Sequence, residues 1–143
     1  MAGFESLKAL VIDDSRHIQT LVSEVLKAVG MDVRECGGGE AGLGIVKTWK
    51  PDVILVDFEM RPMTGADFTR ALRRFEKIEG RRTPVLMMTA HGDQKHVLEA
   101  RDAGVDGLMA KPLSTGAILG RVQFVLEKAG GPPGSRPGPS NML

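Results

Sequence analysis

Residues 51–58 read PDVILVDF, a nearly continuous apolar run that follows a proline and contains a late carboxylate, Asp57. Strands buried on both faces, as in a parallel sheet covered by helices, have this pattern, whereas strands with one solvated face alternate apolar and polar residues. Pro51 fits the position just before a strand, where no ladder donor is needed. The segment therefore predicts a parallel sheet with helices on both of its faces.

Outward from this strand, short β-type runs alternate with helical patterns in both directions. The other strand candidates are KALVID (8–13), MDVREC (31–36), TPVLMMTA (83–90) and GLMAKP (107–112). Apolar residues at steps of three and four predict the helices, at about 18–29, 40–49, 68–75 and 93–104 and from 115 onward. This order predicts an α/β fold, a five-stranded parallel sheet that is doubly wound as in flavodoxin, with strand order 2-1-3-4-5.

The composition indicates a globular domain and limits its partners. The chain has 143 residues, 42% hydrophobic and 26% charged, with a formal net charge of +1. This balance gives no general attraction to nucleic acid or to an anionic membrane. No apolar run approaches the roughly 20 residues of a membrane span, and the initial MAGFESLKAL does not read as a signal peptide. Neither nucleic acid nor a membrane is an expected partner.

The domain is predicted to span residues 1–129. Residues 130–143, GGPPGSRPGPSNML, are rich in Pro, Gly and Ser and are predicted to form a flexible tail. The single cysteine, Cys36, permits no internal disulfide and no site with several cysteine ligands. A reducing compartment, the cytoplasm, is the expected location.

Carboxylates follow two of the predicted strands. Asp13 and Asp14 follow the first strand, and Asp57 ends the third. In an open sheet of this winding the two strands are neighbours at the switch point, where ligands bind outside the carboxyl ends. Three carboxylates there repel one another unless a cation neutralises them, and an all-oxygen ligand set suits Mg²⁺. The alternative is that Asp13 and Asp14 cap the first helix, although a cap needs only one residue.

A hydroxyl and an ammonium group are predicted at the same edge of the sheet. Thr89 ends the fourth strand and Lys111 the fifth. With a metal ion, these groups are complementary to a phosphoryl group, because the cations neutralise its charge and the hydroxyl binds one oxygen. Asp57 is then a candidate nucleophile, since carboxylates form acyl phosphates. Taken alone, Thr89 is also a good strand former and Lys111 fits an exposed strand end.

Five stretches in this order resemble the receiver domain of two-component response regulators, in particular the single-domain chemotaxis type. They are VIDDSR (11–16), DVILVDFEM (52–60) with MTG (63–65), VLMMTA (85–90), and AKPLS (110–114) after DAGVDG (102–107). The resemblance spans about residues 8–129. It implies a signalling protein that accepts a phosphoryl group on Asp57 from a histidine kinase, a phosphotransfer protein or a small phosphodonor.

The resemblance also implies which residues bind the metal and the phosphoryl group. The implied Mg²⁺ ligands are Asp14, Asp57, the backbone carbonyl of Glu59 and, largely through water, Asp13. The implied phosphoryl contacts are Thr89 and Lys111. Glu59 and His91 lie two residues beyond Asp57 and Thr89, at positions that face the attacking water in the family. They would tune the rate of dephosphorylation.

The sequence departs from the family pattern at two places. Leu108 stands three residues before the lysine, where receivers often have Tyr or Phe, so the family's aromatic rotamer switch is not implied here. The family tends to have proline four residues after the acceptor, but this chain has Arg61 there, followed by Pro62. A differently shaped loop is expected, with Arg61 either reaching the phosphoryl site or a partner, or remaining solvated.

The predicted function is a phosphoacceptor switch, not an enzyme beyond self-phosphorylation from small donors and autodephosphorylation. Val97 and Leu98 give the fourth helix only a weak apolar stripe, so the face of helix 4, strand 5 and helix 5 is the candidate surface for an output protein. One alternative is an aspartyl-nucleophile phosphatase or phosphotransferase, which usually has a second Asp where this chain has Glu59. Another is a pseudo-receiver that binds partners without phosphorylation.

Three further patterns have simpler interpretations. GGGEAG (37–42) fits G-x-G-x-x-G but lies on the second βα turn, so a flexible turn is preferred to a dinucleotide site. A basic cluster is interpreted as a solvated face, with an acidic partner or nucleic acid as the alternative. Its members are Arg70, Arg73, Arg74, Lys77, Arg81 and Arg82. His17, His91 and His96 lack the mutual spacing of metal ligands.

Overall fold

The computed structural model describes residues 3–130, so the predicted tail, except for Gly130, lies outside the described residues. The strands are β1 (Lys8–Ile12), β2 (Asp32–Cys36), β3 (Val53–Asp57), β4 (Val85–Thr89) and β5 (Gly107–Ala110). The helices are α1 (Arg16–Ala28), α2 (Gly39–Trp49), α3 (Gly65–Glu79), α4 (Gln94–Ala103) and α5 (Thr115–Lys128). All of the predicted strands and helices are present, with ends that differ by a few residues.

The strands form one parallel sheet in the order β2-β1-β3-β4-β5, which confirms the predicted topology. β1 and β3 are central neighbours, and Ile12 at the end of β1 pairs with Val56. The register continues to the edge, where Asp57 pairs with Met88 and Thr89 with Ala110. The residues that end these strands therefore share one edge of the sheet.

Side chains that alternate along each strand build a separate core on each face of the sheet. On one face, Val11 of β1 packs with buried residues of α1 and α5, including Val22 and Ile118. On the other, Ile12 packs with residues of α2 and α3, including Phe68. All five of the residues of β3 are buried, as its apolar run predicts for a strand covered on both faces.

Polar side chains determine where four of the helices begin. Ser15, Asp93 and Ser114 each accept a hydrogen bond from the backbone N–H three residues later, which caps α1, α4 and α5. Thr64 and Asp67 form a capping box at the start of α3. None of the helices within residues 3–130 is long and apolar enough to cross a membrane.

Two of the four glycines of GGGEAG, Gly39 and Gly42, pack closely, so the interpretation as a flexible turn is wrong for these two. Gly39 and Gly42 are buried in α2. A Cβ on Gly39 would lie 2.5 Å from Sδ of Met63, and one on Gly42 would lie 2.5 Å from Cδ1 of Ile12. These positions bring α2 close to the sheet and to the loop before α3.

Gly65 allows an equally close approach to backbone atoms, at the end of β3. A Cβ on Gly65 would lie 2.5 Å from the carbonyl oxygen of Asp57, and backbone cannot swing aside as a side chain can. We expect Gly65→Ala to lower the free energy of unfolding by about 1–3 kcal/mol, measured by urea denaturation. Gly44→Ala is the matched control, because Gly44 is an exposed helical glycine with open space at its Cβ position.

The control should raise stability, by about 0.5–1 kcal/mol, because alanine restricts the unfolded chain and favours helix. Equal effects of the two substitutions would show that the backbone contact at Gly65 is not limiting.

Several residues of the basic cluster are structural, so its interpretation as a solvated face is wrong for these members. Arg73 donates to the carboxylates of Glu76 and Asp106 and to the carbonyl of Gly104, at 2.6, 2.9 and 2.9 Å. Arg82 donates to the other oxygen of Asp106 at 2.7 Å. We call these five residues the Arg73 network. It joins α3 to the C-terminal end of α4.

Of two other members of the basic cluster, Arg81 makes structural hydrogen bonds and Arg74 is solvated. Arg81 donates to the carbonyls of Lys50 and Pro51, at 3.1 and 2.8 Å, and so joins the end of α3 to the loop before β3. Arg74 is exposed, as the solvated interpretation predicts.

Candidate functional site

Lys111 joins two buried carboxylates at the carboxyl edge of the sheet. Its Nζ lies 3.1 Å from Oδ2 of Asp13 and 3.1 Å from Oδ1 of Asp57. Asp13 is fully buried and Asp57 is 3% exposed. One ammonium group therefore bridges the ends of β1 and β3 across 98 and 54 residues of chain.

Local hydrogen bonds hold each carboxylate in place. Oδ1 of Asp13 accepts from the backbone N–H of Ser15 at 2.9 Å. The Asp13 carbonyl accepts from the amide of Gln19 at 2.7 Å. Oδ1 of Asp57 also accepts from the backbone N–H of Glu59, at 3.3 Å. Because Ser15 is the N-cap of α1, neither member of the acidic pair is needed as the cap.

The charges at this edge are incompletely balanced. Burial, followed by the charge of Asp13, raises the pKa of Asp57 from 3.8 to about 6, although Lys111 acts in the opposite direction. Burial lowers the pKa of Lys111, but its hydrogen bonds and charge interactions with Asp13 and Asp57 outweigh this effect and raise it. Burial and the charge of Asp13 therefore destabilise the ionised form of Asp57, and an added cation would stabilise it.

Oxygen atoms of Asp13, Asp14 and Asp57 lie within 4.8 Å of one another. Asp14 is exposed, whereas Asp13 and Asp57 are buried, so the group is open to solvent on one side. Three carboxylates beside one ammonium leave an excess of negative charge, and an all-oxygen set with room for water is typical of Mg²⁺ sites. The cluster predicted from the sequence is therefore assembled, and its chemistry fits a hard divalent cation.

The hydrogen bonds of the Glu59 side chain were not predicted from the sequence. Its Oε2 accepts from the hydroxyl of Thr89 at 2.6 Å, and its Oε1 accepts from the backbone N–H of Ala90 at 3.2 Å. Burial raises the pKa of Glu59, but these two hydrogen bonds and one from His91 outweigh it, so the pKa is lowered. The carboxylate thus ties the loop after β3 to the loop after β4.

Two residues that depart from the family pattern have clear positions. Arg61 is exposed, and its Nη1 donates to the carbonyl of Met60 at 3.4 Å, which agrees with the solvated alternative. Leu108 is half-buried and packs on a small cluster that includes Phe58 and Met87. An aliphatic side chain therefore occupies the position three residues before Lys111, where receivers often have an aromatic residue.

The doubly wound parallel sheet, with its acidic cluster, lysine and threonine at the carboxyl edge, defines a receiver-type signalling domain. Residues 9–123 match the sequence profile of the response regulator receiver domain. The chain belongs to the response regulator receiver domain family, and thus to the proteins of two-component signal transduction. The resemblance noted in the sequence is confirmed.

Known proteins of this family are similar over nearly the whole described chain. The chemotaxis protein CheY of Pseudomonas aeruginosa is 29% identical over 126 residues, which cover 87% of this chain and 100% of that protein. CheY-3 of Vibrio cholerae is 27% identical and covers 87% of this chain and 95% of its own length. The solved structure of the chemotaxis response regulator CheY4 of Vibrio cholerae is 31% identical, with a TM-score of 0.78, and covers 85% of this chain and 99% of that one.

Proposed function

We propose that this receiver domain is a phosphoacceptor switch in which Asp57 accepts a phosphoryl group from a histidine kinase, a phosphotransfer protein or a small phosphodonor. The observation that carries the proposal is the bridge of Lys111 to Asp13 and Asp57 at 3.1 Å, at the carboxyl edge of the sheet. In the transfer, a carboxylate oxygen of Asp57 forms a bond to phosphorus while the donor's P–N or P–O bond breaks. The electron pair of that bond leaves with the donor.

Asp14 and Asp57, the backbone carbonyl of Glu59 and, through water, Asp13 would hold Mg²⁺. The support from the structure is the excess of carboxylate charge beside Lys111 and the solvent-open Asp14. When bound, the ion would supply charge neutralisation for the phosphoryl oxygens. Lys111 would contribute the same kind of stabilisation from the other side, because its Nζ already lies at hydrogen-bond distance from the acceptor oxygen.

Thr89 would supply the change of conformation. Its hydroxyl donates to Glu59, and a phosphoryl group on Asp57 offers a competing acceptor that carries about −1.5 to −2 charges, if it behaves like a phosphoester. Movement of Thr89 toward that group would remove one of the hydrogen bonds that tie the loop between β4 and α4 to Glu59. The switch would then appear as a rearranged loop and α4.

The proposed output is contact with a protein through the face formed by α4, β5 and α5. Val97 and Leu98 are exposed on α4, and that helix packs mainly through the small residues Ala100 and Ala103. A helix with few large buried side chains moves at low energetic cost.

The receiver unit would comprise residues 1–129, with 130–143 as a tail. It would act in the cytoplasm and would not be an enzyme for other substrates.

The experiment that tests this function is intact-protein mass spectrometry after incubation with acetyl phosphate, with and without Mg²⁺. We expect one phosphoryl adduct that depends on Mg²⁺, is released by hydroxylamine and is absent from Asp57→Asn. Asp32→Asn, an exposed aspartate on β2, is the control and should form the adduct like the wild type.

Failure to form the adduct, in protein shown to bind Mg²⁺, would instead support a pseudo-receiver that acts only by binding. Sustained turnover of a phosphate ester would support an aspartyl phosphatase.

A further inference from the structure

A second group of side chains that could bind a metal ion lies on the loops after β3 and β4 and in the first turn of α4. One nitrogen from each ring of His91 and His96 and one carboxylate oxygen of Glu59 lie within 4.8 Å of one another. The two imidazole rings stack with centroids 5.6 Å apart, and Nδ1 of His91 lies 3.6 Å from Oε2 of Glu59. The sequence spacing of the histidines had not suggested this arrangement.

His96 is held in the way that proteins usually hold a metal-binding histidine. Its Nδ1 lies 2.6 Å from Oδ1 of Asp93, and its ring packs edge-on against Phe58, with centroids 4.6 Å apart. A carboxylate at Nδ1 keeps the proton on that nitrogen and leaves the lone pair of Nε2 for a metal ion. Asp93 also caps α4 by accepting from the backbone N–H of His96, so it holds both the backbone and the ring of this residue.

The Glu59 carboxylate is also fixed before any ion arrives. It accepts hydrogen bonds from the hydroxyl of Thr89 and from the backbone N–H of Ala90. The His91 side chain is less constrained by its surroundings than those of Glu59 and His96, because it is 64% exposed. A site with two oriented ligands and one exposed ligand needs to order only a single side chain on binding.

We propose that Glu59, His91 and His96 form a second metal site, for Zn²⁺ or a similar first-row transition metal. Two imidazoles and one carboxylate are a known Zn²⁺ ligand set with a fourth position open to water, whereas Mg²⁺ prefers oxygen ligands alone. The two clusters of this domain therefore differ in the ion they favour. Binding at the histidine site does not require Asp57 to be phosphorylated.

The position of the site gives it a regulatory consequence, which rests on the proposed function. An ion on Glu59 would hold the carboxylate that Thr89 donates to, and so would hold Thr89 where it now lies. Phosphorylation requires Thr89 to leave that carboxylate. Zn²⁺ and the phosphoryl group would therefore oppose each other, and the coupling must be reciprocal.

The test is a calorimetric titration of the full chain with Zn²⁺ in a large excess of Mg²⁺, which occupies the acidic cluster. We expect one site in the wild type and a loss of affinity of more than about tenfold in His91→Ala, His96→Ala and Glu59→Gln. Asp93→Asn keeps a good N-cap but removes the carboxylate beside His96, and should weaken binding by about tenfold to a hundredfold.

Two controls separate this site from the others. His17→Ala removes an exposed histidine of α1 and should bind Zn²⁺ like the wild type. Asp57→Asn should also keep the site, so Zn²⁺ binding remains measurable even if Asp57 is not phosphorylated. Absence of binding in excess Mg²⁺, or equal losses in the His17 and His91 variants, would overturn the proposal.

A second readout tests the regulatory consequence. With acetyl phosphate and excess Mg²⁺, added Zn²⁺ should reduce the phosphorylated fraction of the wild type and leave that of His91→Ala unchanged. Equal reduction in both proteins would refute the coupling, because the effect would then arise elsewhere.

Discussion

Replacement of Arg73 by methionine is expected to lower the free energy of unfolding by about 3–5 kcal/mol. The Arg73 side chain is 15% exposed, and those of its partners Glu76 and Asp106 are 5% and 9% exposed. Methionine fills much of the volume but leaves the buried carboxylate of Glu76 without its cation and removes two of the hydrogen bonds to the Gly104 carbonyl. Urea denaturation followed by circular dichroism measures the difference.

Arg74→Met is the matched control on the same helix. Arg74 is exposed, so its replacement should change stability by less than about 0.5 kcal/mol. If the two variants were equally stable, the Arg73 network would be shown to contribute no more than a surface charge.

The second large effect concerns Asp57 in metal-free buffer, where Asp57→Asn should raise stability by an amount that grows with pH. The pKa of Asp57 is raised from 3.8 to about 6, first by burial and then by the charge of Asp13. A carboxyl with a higher pKa in the folded state stabilises the fold while protonated. That stability is complete below the unfolded pKa and is lost as the pH rises through about 6.

Asparagine resembles the neutral carboxyl but does not ionise. The stability difference between the variant and the wild type should therefore be small near pH 4 and reach about 3 kcal/mol above about pH 7, since one pKa unit corresponds to about 1.4 kcal/mol. Denaturation in EDTA at several pH values measures it. Taking the difference cancels the other titrating groups, which both proteins share.

Gly44→Ala removes no titrating group, so its stability difference from the wild type should not change with pH. Saturating Mg²⁺ should reduce the difference, because the proposed site then stabilises the ionised Asp57 of the wild type. A difference that stayed constant from low to high pH would contradict the raised pKa.

Much of the fold could be predicted because its signals are local. The apolar run of β3 indicates burial on both faces, and Asp93 and Ser114 mark helix starts through bonds to residues three positions away. The positions of Asp57, Thr89 and Lys111 at strand ends then follow from the parallel sheet itself. Lys111 was found in this way, although its partner Asp13 lies 98 residues earlier in the chain.

The features that were missed depend on contacts between distant loops. Arg73 looked like its solvated neighbours because its partner Asp106 lies 33 residues away. Glu59 and Thr89 are 30 residues apart, and no local pattern joins a carboxylate on one loop to a hydroxyl on the next strand. His91 and His96 come together because α4 begins at Asp93, which lies between them in the sequence. The sequence spacing of the two histidines does not take that helix start into account.

The Arg73 network also determines where α4 has its fixed end. Arg73 holds the Gly104 carbonyl, just beyond Ala103, by two hydrogen bonds, whereas the other end of the helix adjoins the loop that follows Thr89 and contains His91. A rigid rotation of α4 would therefore pivot near Gly104, and its amplitude would be greatest at Gln94. A small displacement of the loop after Thr89 would then change the direction of the α4 axis. The guanidinium group of Arg73, on the neighbouring helix α3, would fix the pivot.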